Sequence, residues 1–419
     1  MRGTGKFNEP DPESHSSDHS GTNVVPFVVR LTTTPKATAT VRARARAIWR
    51  LYVLIGLTGT SPLSAQFVDP DSSIIQPDSL DNFFFYRGRP YGTDAYMGPL
   101  DVILNKGFAV AQFNNRNRYI FDYDYGSKHV KNSILHFGAN VEKYGGWKKY
   151  IGDEIFPLSL EWKEWKWMPN YFGHFLEGGM TYRRLAEWNR VHGVPAASVT
   201  AGLVTMSAAV INEMYSHPGY VEGTAATGTD LMFFDPLGIF IFSIDGVSRF
   251  VSRTLRGNIW ASQAALIVDG ELVNNGNNFV MKIPLPFQDK ASFFIRSGLA
   301  FTPGVTWHRS DGYDVSVALG GEGRIQNIDP ETGEETPEIA VGGGVFLDYD
   351  GTLLASVMAS EAAHRRFVVN VYPGVFDIAG GRLGGWVIFA ATGTSASVSA
   401  SQVRSALEWV SGQITRTGQ

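Results

Sequence analysis

The spacing of apolar residues divides the chain into a helical part and a strand part. Between residues 97 and 256, apolar side chains recur every three or four positions, most clearly over 128–144, 170–191, 195–216 and 229–254. Pro195 suits a first helical turn, and Thr229 or Asp230 can cap the last of these helices. The pattern predicts a helical domain over residues 97–256.

After residue 258 the apolar runs shorten and alternate with turn residues. The predicted strands cover 259–268, 279–285, 292–301, 305–309, 313–319, 339–348, 353–360, 366–372 and 386–390. Asn274-Asn-Gly, Thr302-Pro-Gly, Ser310-Asp-Gly and Asp350-Gly supply the positive backbone angles that hairpins need. Because so many consecutive strands would leave exposed edges, we expect a closed barrel of about 8 to 9 strands. The predicted fold class is α+β, a helical bundle followed by an antiparallel β-meander.

The N-terminal region has the order of a secretory signal. Arg42, Arg44, Arg46 and Arg50 precede a short apolar run over 51–57, and small residues follow up to Ala65. Cleavage after Ala65 is expected, because the apolar run is too short to span a bilayer comfortably. The predicted organisation is a disordered leader with signal peptide (1–65), a linker (66–96), the helical domain (97–256), the barrel (257–392) and a C-terminal tail (393–419).

The amino-acid composition restricts the classes of partner that the chain is expected to bind. The 36 Lys and Arg against 40 Asp and Glu give a formal charge of -4, so general attraction to nucleic acid is not expected. The absence of Cys excludes disulfides, thiolate metal sites and a lipidated cysteine anchor. Aromatic residues at 13% and 46 glycines suit strands with a lipid-facing surface. No cofactor is predicted.

The aromatic residues place the barrel in a bacterial outer membrane or the periplasm. Trp260, Trp307, Tyr313 and Trp386 lie near predicted strand ends, as in the aromatic girdles of outer-membrane barrels. The alternative is a soluble periplasmic barrel or sandwich. The tract 162–167 alternates Trp with Lys and fits a membrane-interface belt or a plain amphipathic surface helix. Membrane lipid is therefore the expected partner.

Polar residues interrupt the apolar helices and form the candidate site. They are His174, Glu177, Asn212, Glu213, His217, Asp230 and Asp235. His174 and Glu177 share one helix face through their three-residue spacing, and Glu213 and His217 share another through four residues. We expect His174, Glu213 and Asp230 to meet, because isolated buried charges are costly.

Two explanations of these residues stay open. One is a polar site for a headgroup, a proton or a metal; the other is a set of interhelical hydrogen bonds that fixes helix register. A metal site is not predicted, because the His-x-x-Glu pair lacks the His-Glu-x-x-His spacing of zinc proteases. No Ser lies in a Gly-x-Ser-x-Gly elbow, so serine hydrolysis has no direct support.

The segment 170–250 resembles predicted periplasmic lipoproteins and VanZ-like proteins. The resemblance is carried by His174, by Asn212-Glu213 and by the Asp230-Leu that is followed by Gly238. It implies residence in the cell envelope and lipid-linked ligands, but no particular reaction.

Three functions follow from these observations. The leading hypothesis is an outer-membrane barrel with an associated helical bundle that has a structural, lipid-binding or transport-related role. The second is an envelope hydrolase acting on lipid or glycolipid, with His174 as base and Glu177, Glu213 or Asp230 orienting it. The third is a soluble periplasmic binding module.

Overall fold

A computed structural model describes most of the chain beyond residue 80. The described residues are 25–31, 73, 75, 81–112, 120–121, 123–157, 168–217, 220–266, 270–298, 300–328, 335–362, 365–378, 381–390 and 393–400. The predicted signal at 41–65, the Trp-rich tract at 162–167 and residues 401–419 of the predicted C-terminal tail lie outside them. Of the predicted leader, the structure describes 25–31 alone.

The helical domain contains eight helices in the described ranges. They are α1 (Pro99–Val102 with Ile103–Gly107), α2 (Asp124–Leu135), α3 (Phe137–Tyr144), α4 (Trp147–Tyr150 with Ile151–Ile155), α5 (Met168–Glu177 with Gly178–Val191), α6 (Ala197–Ser216), α7 (Ala225–Ser243) and α8 (Asp245–Arg249 with Phe250–Thr254). The predicted α+β class, with helices before the sheet, is confirmed. The predicted helix over 128–144 breaks at His136, and that over 229–254 breaks at Ile244, whose backbone is extended.

Small residues let the central helices approach closely. In α6, Ala201, Ala208 and Ala209 are fully buried. A Cβ added to Gly107 of α1 would lie 3.4 Å from the Ala208 backbone, and one on Gly238 of α7 would lie 2.5 Å from the Phe175 carbonyl of α5. These contacts bring polar side chains of α1, α5 and α7 together around α6.

Eleven of the described strands form one antiparallel sheet. The members are β2 (Asn258–Ala261), β5 (Asn277–Leu285), β6 (Gln288–Ser297), β7 (Ala300–His308), β8 (Tyr313–Ile328), β9 (Glu335–Tyr349), β10 (Thr352–Ser360), β11 (Phe367–Ile378), β12 (Gly381–Ala390), β13 (Gly393–Ala400) and β1 (Val25–Leu31). Strands β5 to β13 lie in chain order, β2 pairs with β5, and β1 pairs with β13. A separate two-stranded hairpin joins β3 (Ala265–Leu266) and β4 (Leu272–Val273). The predicted antiparallel meander is confirmed.

The expectation of a closed barrel is wrong. The sheet is an open half-barrel with β1 and β2 at its edges. Chain segments fill its concave side: Gln263 beside β3 donates to the Val371 and Gly385 carbonyls, and the Tyr372 hydroxyl donates to the Ala261 carbonyl. In addition, Arg184 of α5 donates to the Ile259 carbonyl of β2. The helical domain and this interior chain therefore occupy the space that closure would need.

The predicted turns are present where the backbone adopts positive φ angles. Asp350 and Gly351 both have positive φ and join β9 to β10, as predicted. The turn predicted at Thr302-Pro-Gly is wrong, since these residues lie inside β7. A Cβ on Gly304 would lie 2.0 Å from the Val317 carbonyl, so this glycine permits close strand contact. The meander also continues through β13, beyond its predicted last strand.

Candidate functional site

The candidate site is a buried polar centre between helices α1, α5, α6 and α7. Three of these helices widen at the site into π-type turns, over Ile103–Gly107, Met168–Glu177 and Asp230–Phe234. Such turns are rare in soluble proteins and are frequent at functional sites. They bring Lys106 of α1, His174 and Glu177 of α5, and Asp230 of α7 together from three helices.

His174 lies at the middle of the centre. Its Nδ1 atom is 3.0 Å from Asp235 Oδ2. On the other side of the ring, Nε2 lies 3.5 Å from Asp230 Oδ2 and 3.8 Å from Glu213 Oε1. The imidazole is therefore enclosed by three carboxylates, with one on Nδ1 and two beside Nε2.

A hydrogen-bonded chain holds Glu213 from the opposite side. The Thr227 hydroxyl donates to Glu213 Oε2 at 2.7 Å, and His129 Nε2 lies 3.1 Å from the same hydroxyl. The His129 ring stacks on His217 with centroids 3.9 Å apart. This chain fixes the Glu213 carboxylate with its other oxygen, Oε1, toward His174.

Lys106 and Glu177 form the wall of the centre toward the sheet. Lys106 Nζ lies 3.8 Å from Glu177 Oε2 and 3.7 Å from Asp235 Oδ1. Glu177 Oε1 accepts from Thr181 at 3.2 Å and from the Asn277 amide at the start of β5. Glu177 thus connects the centre to the sheet.

Burial and like charge shape the ionisation of the centre. Burial alone would lower the pKa of His174, but the Asp230 and Asp235 carboxylates raise it to about 10. This imidazole therefore holds its proton at neutral pH. Burial raises the pKa of Asp230 well above its ordinary value, although His174 opposes that shift. Burial opposes the charge of Lys106, yet Glu177 and Asp235 raise its pKa.

Burial also controls the second histidine pair. Burial and the neighbouring His217 together lower the pKa of His129 to about 3. His129 is consequently neutral across the physiological range, in contrast to His174.

The structure brings together most of the residues singled out in the sequence. His174, Glu213, Asp230 and Asp235 form the centre, and Glu177 lies at its edge. His217 is one layer further out, in contact with His129. Asn212 is half-buried, and none of the described hydrogen bonds joins its side chain to the centre.

Sequence reasoning missed Lys106, His129, Thr227 and Asn277. A lone Lys inside the apolar run over 102–111 was a usable signal for Lys106. Thr227 and Asn277 stand in ordinary polar surroundings, so nothing in the sequence marks them. Their roles depend on tertiary contacts alone.

A second group of charged residues lines a recess inside the curl of the sheet. Arg296 on β6 and Arg365 before β11 are buried there beside Glu322 of β8. The distance from Arg365 Nε to Glu322 Oε1 is 3.9 Å. The concave side of the sheet is thus polar as well as filled.

Comparisons with protein-family models, with curated proteins and with solved structures found no match to this chain. The likeness to VanZ-like proteins and predicted periplasmic lipoproteins stays a prediction. The function is therefore argued from the geometry of the molecule itself.

Proposed function

We propose that this chain is a bacterial cell-envelope protein whose curled sheet contacts the hydrocarbon of the outer membrane. A continuous apolar row on the outer face of the sheet supports this assignment. Neighbours in register on five consecutive strands, from β6 to β10, are Phe293, Val305, Val317, Val345 and Val357. Val317 and Val345 are 42% and 46% exposed, which is unusual for side chains in the middle of long strands.

The opposite face of the same strands is buried and mixed in character, with a mostly polar row beside a hydrophobic cluster that includes Phe294, Ala318 and Phe346. The adjacent row holds Ser292, Thr306, Ser316, Phe346, Ser356 and Asn370. All are almost fully buried, and the Thr306 and Ser316 hydroxyls lie 2.7 Å apart. A soluble sandwich buries one face of each sheet and turns polar side chains to water on the other. Here the outward face is apolar instead, as it is in strands that contact a lipid bilayer.

The edges of the sheet set a condition on this proposal. An unpaired strand edge in hydrocarbon is costly, because no water satisfies its N–H and C=O groups. The edge at β2 lies against the helical domain, where Arg184 donates to the Ile259 carbonyl. The edge at β1 must lie outside the hydrocarbon or pair with another strand.

The position of the mature N-terminus determines which strand forms this edge. Cleavage after Ala65, as the sequence predicts, would remove β1 and leave β13 as the edge strand. N-terminal sequencing of the protein from an envelope fraction decides between the two arrangements. A chain beginning near Gln66 would agree with export through a cleaved signal.

Helix α7 does not carry the membrane proposal. Among the described helices it is the one long and apolar enough to cross a membrane by length and composition, and 56% of its apolar window is buried. It also places Asp230 and Asp235 in the centre of the domain. We therefore treat α7 as a core helix.

The absence of cysteine allows a direct test of lipid contact. Single Val317→Cys and Val345→Cys variants, labelled with an environment-sensitive fluorophore, should show blue-shifted emission in lipid vesicles and quenching by brominated lipid. Asp311→Cys, on the exposed β7–β8 turn, is the matched control and should report water. Purification without detergent, together with a water-exposed label at position 317, would overturn the proposal.

An envelope hydrolase acting on lipid or glycolipid is the second candidate, favoured by the contact between His174 Nδ1 and Asp235. A carboxylate on one ring nitrogen orients the other nitrogen toward a reacting group. Because His174 holds its proton at neutral pH, the base role predicted from sequence has weaker support than the lipid contact. Hydrolysis of phospholipid or glycolipid vesicles that is lost in His174→Gln would support this candidate. Equal hydrolysis by the variant would exclude His174 from it.

A further inference from the structure

The two carboxylates beside His174 Nε2 have the arrangement of metal ligands. One donor atom from each of His174, Glu213 and Asp230 lies within 4.8 Å of the other two. Nε2 is 3.5 Å from Asp230 Oδ2 and 3.8 Å from Glu213 Oε1. Tetrahedral Zn²⁺ sites with bonds near 2.1 Å separate their ligand atoms by about 3.4 Å. We propose that His174, Glu213 and Asp230 bind a divalent transition-metal ion such as Zn²⁺.

The contact of Asp235 with the other ring nitrogen supports this assignment. Metal-binding histidines almost always donate their second ring N–H to a carboxylate, a carbonyl or water, which fixes the tautomer and the ring plane. Asp235 Oδ2 lies 3.0 Å from His174 Nδ1 and so occupies this outer position. Lys106 lies near the other oxygen of Asp235 and holds that carboxylate in turn.

The balance of charge and hydrogen bonds also favours a cation. The centre gathers the carboxyl groups of Glu177, Glu213, Asp230 and Asp235 around one ammonium group, that of Lys106, and a bound ion would replace any proton on His174 Nε2. Asp230 is more than nine-tenths buried, and its Oδ1 atom has no hydrogen-bond partner among the described residues. A buried carboxylate without its full set of partners is costly unless a ligand completes it.

The donor set indicates the class of ion. One imidazole nitrogen and two carboxylate oxygens suit Zn²⁺ or Mn²⁺, whereas Ca²⁺ and Mg²⁺ prefer oxygen donors alone. Three protein donors leave a fourth position for water or substrate, as in catalytic rather than structural zinc sites. The inference concerns the helical domain and does not depend on contact between the sheet and lipid.

The test uses the full-length protein in detergent after removal of metal with a chelator. Equilibrium dialysis should give one Zn²⁺ bound per chain, and Zn²⁺ should raise the melting temperature. Co²⁺ in place of Zn²⁺ should produce visible absorption bands of a four- or five-coordinate site with nitrogen and oxygen ligands. The Co²⁺ spectrum of the wild type requires no variant, so it holds even where a substitution prevents folding.

Variants assign the ion to this centre. His174→Gln and Asp230→Asn should each weaken Zn²⁺ binding at least 100-fold, and Asp235→Asn should weaken it 10- to 100-fold through loss of the orienting contact. The matched control is Asp245→Asn, the same carboxylate-to-amide change at a residue that pairs with Arg183 outside the centre, and its affinity should change less than tenfold. Absence of stoichiometric Zn²⁺ binding, or binding that survives both His174→Gln and Asp230→Asn, would overturn the assignment.

Discussion

Helix α5 buries charge at both of its ends, and the two ends differ in how completely the charge is paired. Near its C-terminal end, Glu187 accepts from the backbone N–H groups of Phe84, Phe85 and Tyr86 at 2.9 to 3.0 Å, and from Arg183 Nε at 2.9 Å. Near its N-terminal end, His174 faces carboxylates of which Asp230 has an oxygen without a hydrogen-bond partner among the described residues. Both regions exclude water to a similar degree.

If the centre at His174 binds a metal as proposed, the difference is that between a structural cluster and a ligand site. Glu187 accepts hydrogen bonds from the backbone of residues 84–86 and so attaches this segment to the helical domain. Arg184, three residues earlier, pairs with Asp94 at 2.6 Å and donates to the Thr93 carbonyl at 3.0 Å. Partners made by the fold itself take up both oxygens of Glu187, although Arg184 Nε has no hydrogen-bond partner among the described residues. The centre at His174 gathers four carboxyl groups, and the incomplete pairing of Asp230 is what we expect of groups arranged for a bound ligand.

The largest expected effect is at the C-terminal end of α5. Glu187→Ala should lower the free energy of unfolding by about 3 to 5 kcal/mol, because it leaves three buried N–H groups and Arg183 without their acceptor. Denaturant unfolding in detergent measures this loss. The exposed Glu142→Ala is the control and should change stability by less than about 0.5 kcal/mol. A small loss for Glu187→Ala would remove the contrast between the two ends.

The next largest effect is expected where helices α5 and α7 approach each other at the centre. Gly238→Ala should destabilise by about 1 to 3 kcal/mol, because the added Cβ would lie 2.5 Å from the Phe175 carbonyl and force α7 away from α5. It should also weaken Zn²⁺ binding by shifting Asp230 relative to His174. Gly173→Ala is the matched control on α5: no atom lies within 4 Å of its added Cβ. It should leave stability unchanged or raise it by up to about 1 kcal/mol.

Much of this architecture is local enough to be predicted from the sequence. The change from helical spacing to short runs after residue 258 locates the junction between bundle and sheet, and Asp350-Gly351 forms its predicted turn. Closure of the sheet depends on long-range packing. Gln263 and Tyr372 reach across more than a hundred residues to their partners, and no periodic pattern records such contacts.

The candidate site, too, could be predicted from the sequence only in part. His174, Glu213 and Asp230 stand out as polar groups in apolar helices, and the cost of burying them correctly predicted that they would meet. Their order around the ring, with Asp235 on Nδ1 and the other two beside Nε2, depends on the wide turns of α5 and α7. An isolated sequence gives no sign of those turns. A metal was not predicted for the same reason, because donors from three helices have no fixed spacing.

A smaller effect is expected from pH, through His129. Its pKa of about 3 in the fold lies below the ordinary value of 6.5, so the unfolded chain binds a proton that the folded chain does not. Stability from this group is complete above pH 6.5 and is lost as the pH falls toward 3. Between pH 6.5 and pH 5 the wild type should lose about 1.6 kcal/mol more than His129→Gln.

Urea unfolding at a series of pH values measures this dependence. The exposed His136→Gln is the control, and it should keep the pH dependence of the wild type. A wild type and a His129→Gln variant with parallel stability curves would show that the fold does not lower the pKa of His129.

The smallest effect is expected at the centre itself, in protein without metal. Asp230→Asn keeps the shape of the side chain and removes one negative charge from a site that holds four carboxyl groups against two cations. The free energy of unfolding should therefore change by less than about 1 kcal/mol, although Asp230 is as deeply buried as many structural charges. Added Zn²⁺ should increase the difference in free energy of unfolding between the wild type and Asp230→Asn, because it stabilises only the wild type. If Asp230→Asn instead lowers the free energy of unfolding by about 3 kcal/mol without metal, the centre is an interhelical network that fixes helix register. The buried charges at the two ends of α5 would then both serve stability.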